Sequence, residues 1–291
     1  MEYPSSKKSI IALGPWLQTP IGQYMLTWEQ AHLDAMTADI FGFNAMQIGL
    51  PQMDTLRANR MRHKWLSDSE PLESWAQNRN ESCNNSTSMQ AAGQDQTHDQ
   101  TQGRMETNQG QSKIVIAHDF ADLPFASQSL DLVVLPHVLE FAAEPHQVLR
   151  EVERVLIPEG QVIICGFNPA SLWGIRQSTG RLSGAHFLPQ NAEFISLLRL
   201  KDWLKLLNME VNRGRFGCYA PPCATAKWLN RFSFMEKAGN RWWPYFGATY
   251  IVQAIKRVKG MHLIGPAFSK KAIKAANGVP ATNRTHKAGK N

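Results

Sequence analysis

The sequence predicts a three-layer α/β fold, a mostly parallel sheet covered by helices on both faces. Three observations predict it. Short apolar runs at 43–48, 113–117, 130–135 and 161–165 alternate with stretches of helical periodicity. The later runs are nearly continuous in apolar character, as strands buried on both faces must be. Apolar residues make up 43% of the 291 and charged residues 19%, enough for one large core.

Each element follows from its residues. Gly22 to Ile40 reads as a helix with Met25, Leu26, Trp28, Leu33 and Met36 as its apolar positions. Phe43 to Ile48 is a first strand stopped by Gly49 and Pro51, and Met61 to Leu66 offers a second. Lys113 to Ala117 and Leu130 to Leu135 are the third and fourth. Pro145 suits the first turn of a helix carrying Val148, Leu149, Val152, Val155 and Leu156 on one face, ended by Pro158-Glu159-Gly160. Gln161 to Cys165 is the fifth strand. Asn191 is positioned to cap a helix through Phe194, Leu197, Leu198, Leu204 and Leu207. Glu210 to Tyr219 and Ala248 to Ile255 are two final strands with no strongly periodic helix between them.

Charge and composition exclude several classes. The net charge of +7 comes from 31 Lys and Arg against 24 Asp and Glu, and the seven cations of 259–291 supply the whole excess. The body is therefore neutral, and the basic tail offers weak, salt-sensitive attraction to nucleic acid or an anionic surface, or simply solubility. Between Ala76 and Ser112 there is no Val, Ile, Leu, Phe, Tyr or Trp, so the segment at about 67–112 reads as a low-complexity disordered insertion. Four cysteines without a CxxC pair make neither a disulfide framework nor a zinc site, and no metal is expected. No apolar run approaches the ~20 residues of a membrane span. Gly14-Pro15 and Pro20 break the short apolar stretch of Met1 to Met25, so 1–19 is read as an N-terminal segment and not a signal peptide, and the cytoplasm is the expected compartment.

Three motifs in order carry a family resemblance. They are Asp119-Phe120-Ala121-Asp122-Leu123-Pro124-Phe125, then His137-Val138-Leu139-Glu140, then Arg154-Val155-Leu156-Ile157-Pro158-Glu159-Gly160. Together, over residues 20–258, the chain resembles the class I S-adenosylmethionine-dependent methyltransferases of the methyltransferase type 11 kind. Trp16 to Gly22, Phe41-Gly42-Phe43 and Gly166 to Ser171 are similar to the YafS-like bacterial group. The resemblance implies a Rossmann-like class I methyltransferase sandwich, a mostly parallel seven-stranded sheet with a reversed last strand. It implies S-adenosyl-L-methionine as cofactor, bound at the carboxyl ends of the strands. It carries Gln47 and Gly49 to the turn after the first strand, Asp119 and Phe120 to the adenine, and Leu135 and Pro136 to the methionine end. It leaves His137 either a general base or a packed orienting group. Asn168, Trp173 and Arg176 fall near the substrate mouth, with Asn168 equally a turn former and Trp173 equally a core residue.

The first motif departs from the family pattern. Gln47-Ile48-Gly49-Leu50-Pro51-Gln52-Met53 keeps one glycine, puts an amide for the usual carboxylate, and adds Pro51, which has no N–H, and the bulk of Met53. Asp68 is the nearby candidate for the acidic residue expected after the second strand, and it is poorly placed for that role. Two readings follow: a methyltransferase of unknown acceptor, or a catalytically silent methyltransferase fold used for binding or scaffolding. A nicotinamide oxidoreductase would want Gly-x-Gly-x-x-Gly after the first strand, which is absent. Amino-group methylation of DNA would want Asn/Asp-Pro-Pro-Tyr where Leu135-Pro136-His137-Val138 stands.

Overall fold

The computed structural model describes residues 13–68, 114–117, 122–183, 187–188, 192–222, 226–232 and 234–257. The insertion beyond Asp68, the loop pair Asp119 and Phe120, the residue Asn191 and the basic tail lie outside these residues. All described elements belong to one compact unit within 1–258.

Two helices open the fold, α1 (Leu13–Leu17) and α2 (Pro20–Ala38). Thr19 caps α2 by accepting a hydrogen bond from the Gly22 N–H at 3.2 Å, and Pro20 takes the first helical position, where a missing N–H costs nothing. Gly22 is required by close approach: a Cβ there would sit 2.5 Å from the Trp16 carbonyl oxygen. The buried stripe of α2 runs Ile21, Met25, Glu29, Leu33 and Met36, and the core reaches back to Leu13 and Leu17, both fully buried.

The sheet has seven strands in the order β3-β2-β1-β4-β5-β7-β6. They are β1 (Asn44–Ile48), β2 (His63–Asp68), β3 (Ile114–Ala117), β4 (Leu130–Pro136), β5 (Leu156–Phe167), β6 (Met209–Gly217) and β7 (Thr249–Lys256). All neighbouring pairs from β3 through to β5 are parallel, and β7 runs antiparallel to both β5 and β6. The reversed final strand and the three-layer architecture are as the sequence implied. Alternation along β4 sends Leu132 and Val134 to the face packed by α1 and α2, and Val133 and Leu135 to the other. On that second face lie α4 (Pro145–Val155), through Val148, Leu149, Val152 and Val155, and α6 (Leu197–Leu206), through Leu200 and Leu204. The short α3 (Val138–Phe141) precedes α4, and α5 (Leu172–Ser183) falls between α4 and α6 in sequence.

Four details differ from the sequence reading. First, β2 ends at Asp68, two residues beyond the expected stop, so Asp68 closes the strand opposite Ala117. Second, α4 stops at Val155, and Leu156 already pairs with Leu130. Pro158-Glu159-Gly160 is then an irregular entry into β5, with Glu159 at φ 64. Third, the cap of α6 is Ser196, whose side chain accepts from the Arg199 N–H, and Asn191 lies five residues ahead of it. Fourth, the β6–β7 connection holds α7 (Ala226–Arg231), α8 (Phe234–Trp242) and a 3-10 turn (Pro244–Phe246). Their aromatic content and short length hid the helical period.

Candidate functional site at the carboxyl ends of the strands

The chain crosses from β1 to β2 and β3 on one side and to β4 on the other, so the topological switch point, where α/β sheets take a ligand in a crevice, lies between the carboxyl ends of β1 and β4. Gly49 (φ 70) and Leu50 (φ 46) turn the chain sharply as β1 ends. Gln47 organises that turn and is completely buried. Its Nε2 donates to the carbonyls of Gly49 (3.1 Å), Leu50 (3.0 Å) and Met53 (2.7 Å). Its Oε1 accepts from the Thr55 N–H (3.1 Å) and hydroxyl (2.9 Å). A carboxylate has no proton for three carbonyls, so the amide is what this turn needs. The same folding withdraws Leu50 and Met53 into the core beside α1 and α2. Sequence reasoning set the bulk of Met53 against a ligand; the structure turns it away, because the Gln47 bonds curl the loop inward.

Past β4 the chain enters a buried charged cluster. His137 sits at φ 55 ahead of α3, its N–H bonded to the Cys165 carbonyl at 3.1 Å. Its Nδ1 pairs with Glu140 at 2.9 Å and its Nε2 with Glu29 of α2 at 3.0 Å. Burial alone would lower the imidazole pKa, but the two carboxylates outweigh it and hold the ring charged, with its pKa raised to about 10. Burial pushes the Glu140 carboxyl up, opposed by His137 and by the Phe167 N–H that donates to it. The cluster thus ties α2, the end of β4, α3 and the end of β5 together. In this arrangement neither imidazole nitrogen has a free lone pair, so His137 orients the segment after β4. Glu29 was missed in sequence. The available signal was an acidic residue set on the apolar stripe between Met25 and Leu33.

Leu135 and Pro136 are the last two residues of β4 and both are buried. The three residues assigned to the substrate mouth share a different job. Asn168 donates to the carbonyls of Tyr245 (2.8 Å) and Gly247 (2.9 Å). Trp173, 1% exposed, donates to the Ala220 carbonyl at 2.8 Å. Arg176 donates to the Pro222 carbonyl and lies 4.8 Å from the centroid of the Phe187 ring. All three hold the β6–β7 connection to the sheet. Because Phe167 and Gly217 both pair with Thr249, that connection lies at the crevice end of the sheet. An apolar pocket of about 630 Å³ opens there, lined by Leu172, Tyr219, Phe234, Met235, Trp243 and Phe246 among others. Glu236 seats α8 by accepting from the Tyr219 N–H at 2.8 Å and from the Tyr24 hydroxyl.

Strand order and the reversed strand together define the class: the chain has the fold of the class I S-adenosylmethionine-dependent methyltransferases, and its sequence resembles theirs. Residues 76–164 match the family described as methyltransferase domain. Over 98 residues the chain is 42% identical to the uncharacterized protein YafS of Escherichia coli K12, a match covering 34% of this chain and 40% of that protein. Over 103 residues it is 31% identical to malonyl-[acyl-carrier protein] O-methyltransferase of Laribacter hongkongensis, covering 35% and 34%. Both matches span well under half of either relative.

Among solved structures, the fold is similar to a S-adenosylmethionine-dependent methyltransferase of Thermotoga maritima, described as a possible histamine N-methyltransferase. The TM-score is 0.55 at 11% identity, covering 86% of this chain and 97% of that one. It is also similar to a Haloferax volcanii methyltransferase solved in complex with the activator Trm112. There the TM-score is 0.53 at 17% identity, covering 89% and 100%. No described helix is long and apolar enough to cross a membrane, and no described group of His, Cys, Asp and Glu forms a metal site.

Proposed function

We propose that this chain binds S-adenosylmethionine in the crevice between β1 and β4 and transfers its methyl group to an acceptor with a substantial apolar part. The observation that carries the reading is the turn after β1. Gln47 satisfies the turn internally and withdraws Met53, which stands for one lost glycine, to the core, while Pro51, which stands for the other, stays half-buried at the turn.

The bound cofactor supplies an electrophilic methyl group on a sulfonium. Positioning is the chain's contribution, and well-oriented reactants need little else. Asp119 and Phe120, after β3, take the adenine, and Leu135 and Pro136 bound the methionine end. The Glu29–His137–Glu140 cluster fixes the segment after β4, so we assign His137 an orienting role rather than proton removal. The apolar pocket under α8 takes the acceptor, and Asn168, Trp173 and Arg176 hold the segment that forms it.

Calorimetric titration with S-adenosylmethionine and S-adenosylhomocysteine, beside Asp119→Ala, tests the reading. Micromolar binding weakened by the substitution is expected. Absence of binding by folded protein at ~1 mM ligand overturns it and favours the silent binding fold.

A further inference from the structure

We infer that the outer face of the β6–β7 connection, 226–246, docks on the surface of an anionic lipid bilayer. Twelve large apolar side chains are exposed among the described residues, and six of them fall here: Trp228, Phe234, Trp242, Trp243, Tyr245 and Phe246. Trp242 and Tyr245 are each 71% exposed. Four of them are contiguous, and Trp242 and Tyr245 flank Trp243 in sequence. Phe234, Trp243 and Phe246 share one pocket rim, and Trp228 reaches Phe234 through Phe232, with ring centroids 5.9 and 6.4 Å apart. Leu172 joins the same rim from α5.

Charge selects the occupant. From Cys218 to Ala248 the sequence has four cations, Lys227, Arg231, Lys237 and Arg241, and one acid, Glu236. That acid is spent on Tyr219 and Tyr24, whereas Lys227, Arg231 and Arg241 are exposed. Cations beside Trp, Tyr and Phe suit the headgroup layer, where amphipathic rings bury an apolar body and keep a polar edge in water. The aliphatic members of the rim and the apolar pocket behind it have no use for a nucleic-acid strand, which wants stacking platforms along a charged groove. The helices are too short to span, so the protein would lie on the surface and turn the crevice end of its sheet toward the bilayer. Docking stands on this face alone and does not require the cofactor reading.

Cosedimentation of the full chain with phosphatidylcholine vesicles, with and without phosphatidylglycerol, tests it. Binding to the anionic vesicles is expected. Trp242→Ala/Trp243→Ala should lower it by about tenfold or more through lost apolar burial. Arg231→Gln/Arg241→Gln should lower it about fivefold per cation removed. Both pairs are exposed, and thermal melts matching the parent establish that each variant is folded. The basic tail is the same in every sample. The inference is overturned if the parent does not bind, or if both pairs leave binding unchanged, since the tail would then account for it. It is equally overturned if the parent sediments as a stable dimer that Trp242→Ala/Trp243→Ala dissociates, which would give the face to a second copy.

Discussion

A single amide decides the shape of the turn after β1. Gln47 spends Nε2 on three carbonyls and Oε1 on Thr55, so Gln47→Glu, though it restores the carboxylate usual in the resembling family, sets an acceptor against three acceptors. The expected cost is about 3 kcal/mol or more, read as a lower urea midpoint at unchanged slope. His137 carries the second residue-scale prediction. Its folded pKa is raised from 6.5 to about 10, so folding holds that proton more tightly than the unfolded chain does. The resulting stability is fully present below about pH 6.5 and is lost as pH rises through about 10. Melting temperatures from pH 6 to 10 should fall on the alkaline side for the parent. His137→Gln, with no proton to lose there, should melt lower at neutral pH and lack that alkaline step.

Elements are held here by main-chain carbonyls as much as by packing. The 3-10 turn Pro244–Phe246 has no buried residue of its own, so Asn168 does much of the work of keeping it against the end of β5. Asn168→Ala removes both carbonyl bonds and the acceptor for the Ala170 N–H. A loss of about 1–3 kcal/mol in denaturant unfolding is expected, with faster proteolysis between Trp242 and Gly247. Local chemistry set most elements. The cap of α6 shows the limit of it: Asn191 and Ser196 are both good caps in sequence, and the apolar face of Leu200 and Leu204 against the sheet selects the start that Ser196 allows.

At the scale of the molecule, the crevice and the aromatic face lie at the same end of the sheet because β6 and β7 close at Gly217 and Thr249 beside the end of β5. A ligand that binds only the folded state stabilises it by about 2.7 kcal/mol at 100 times its dissociation constant. S-adenosylhomocysteine at such a level should raise the urea midpoint of the parent and of Trp242→Ala/Trp243→Ala alike, which separates crevice from docking face. If the docking variant loses the shift, the two regions are coupled.

The sequence by itself determined the three-layer α/β architecture. Continuous β-branched runs and one-faced helices admit few packings, and the motifs from Asp119 to Gly160 implied which one, with its reversed strand. It also brought His137, Leu135 and Pro136 to the end of β4. Only the tertiary structure decided what those residues touch. Glu29 and His137 are 108 positions apart and become partners through the packing of α2 on the sheet. Met53 reads as an obstruction until its loop is seen to fold inward. Asn168, Trp173 and Arg176 read as a substrate mouth until the β6–β7 connection arrives to take their donors. A hydrogen bond or ion pair between distant segments leaves no periodicity in the chain, so its partners are settled only when the elements that carry them are packed together.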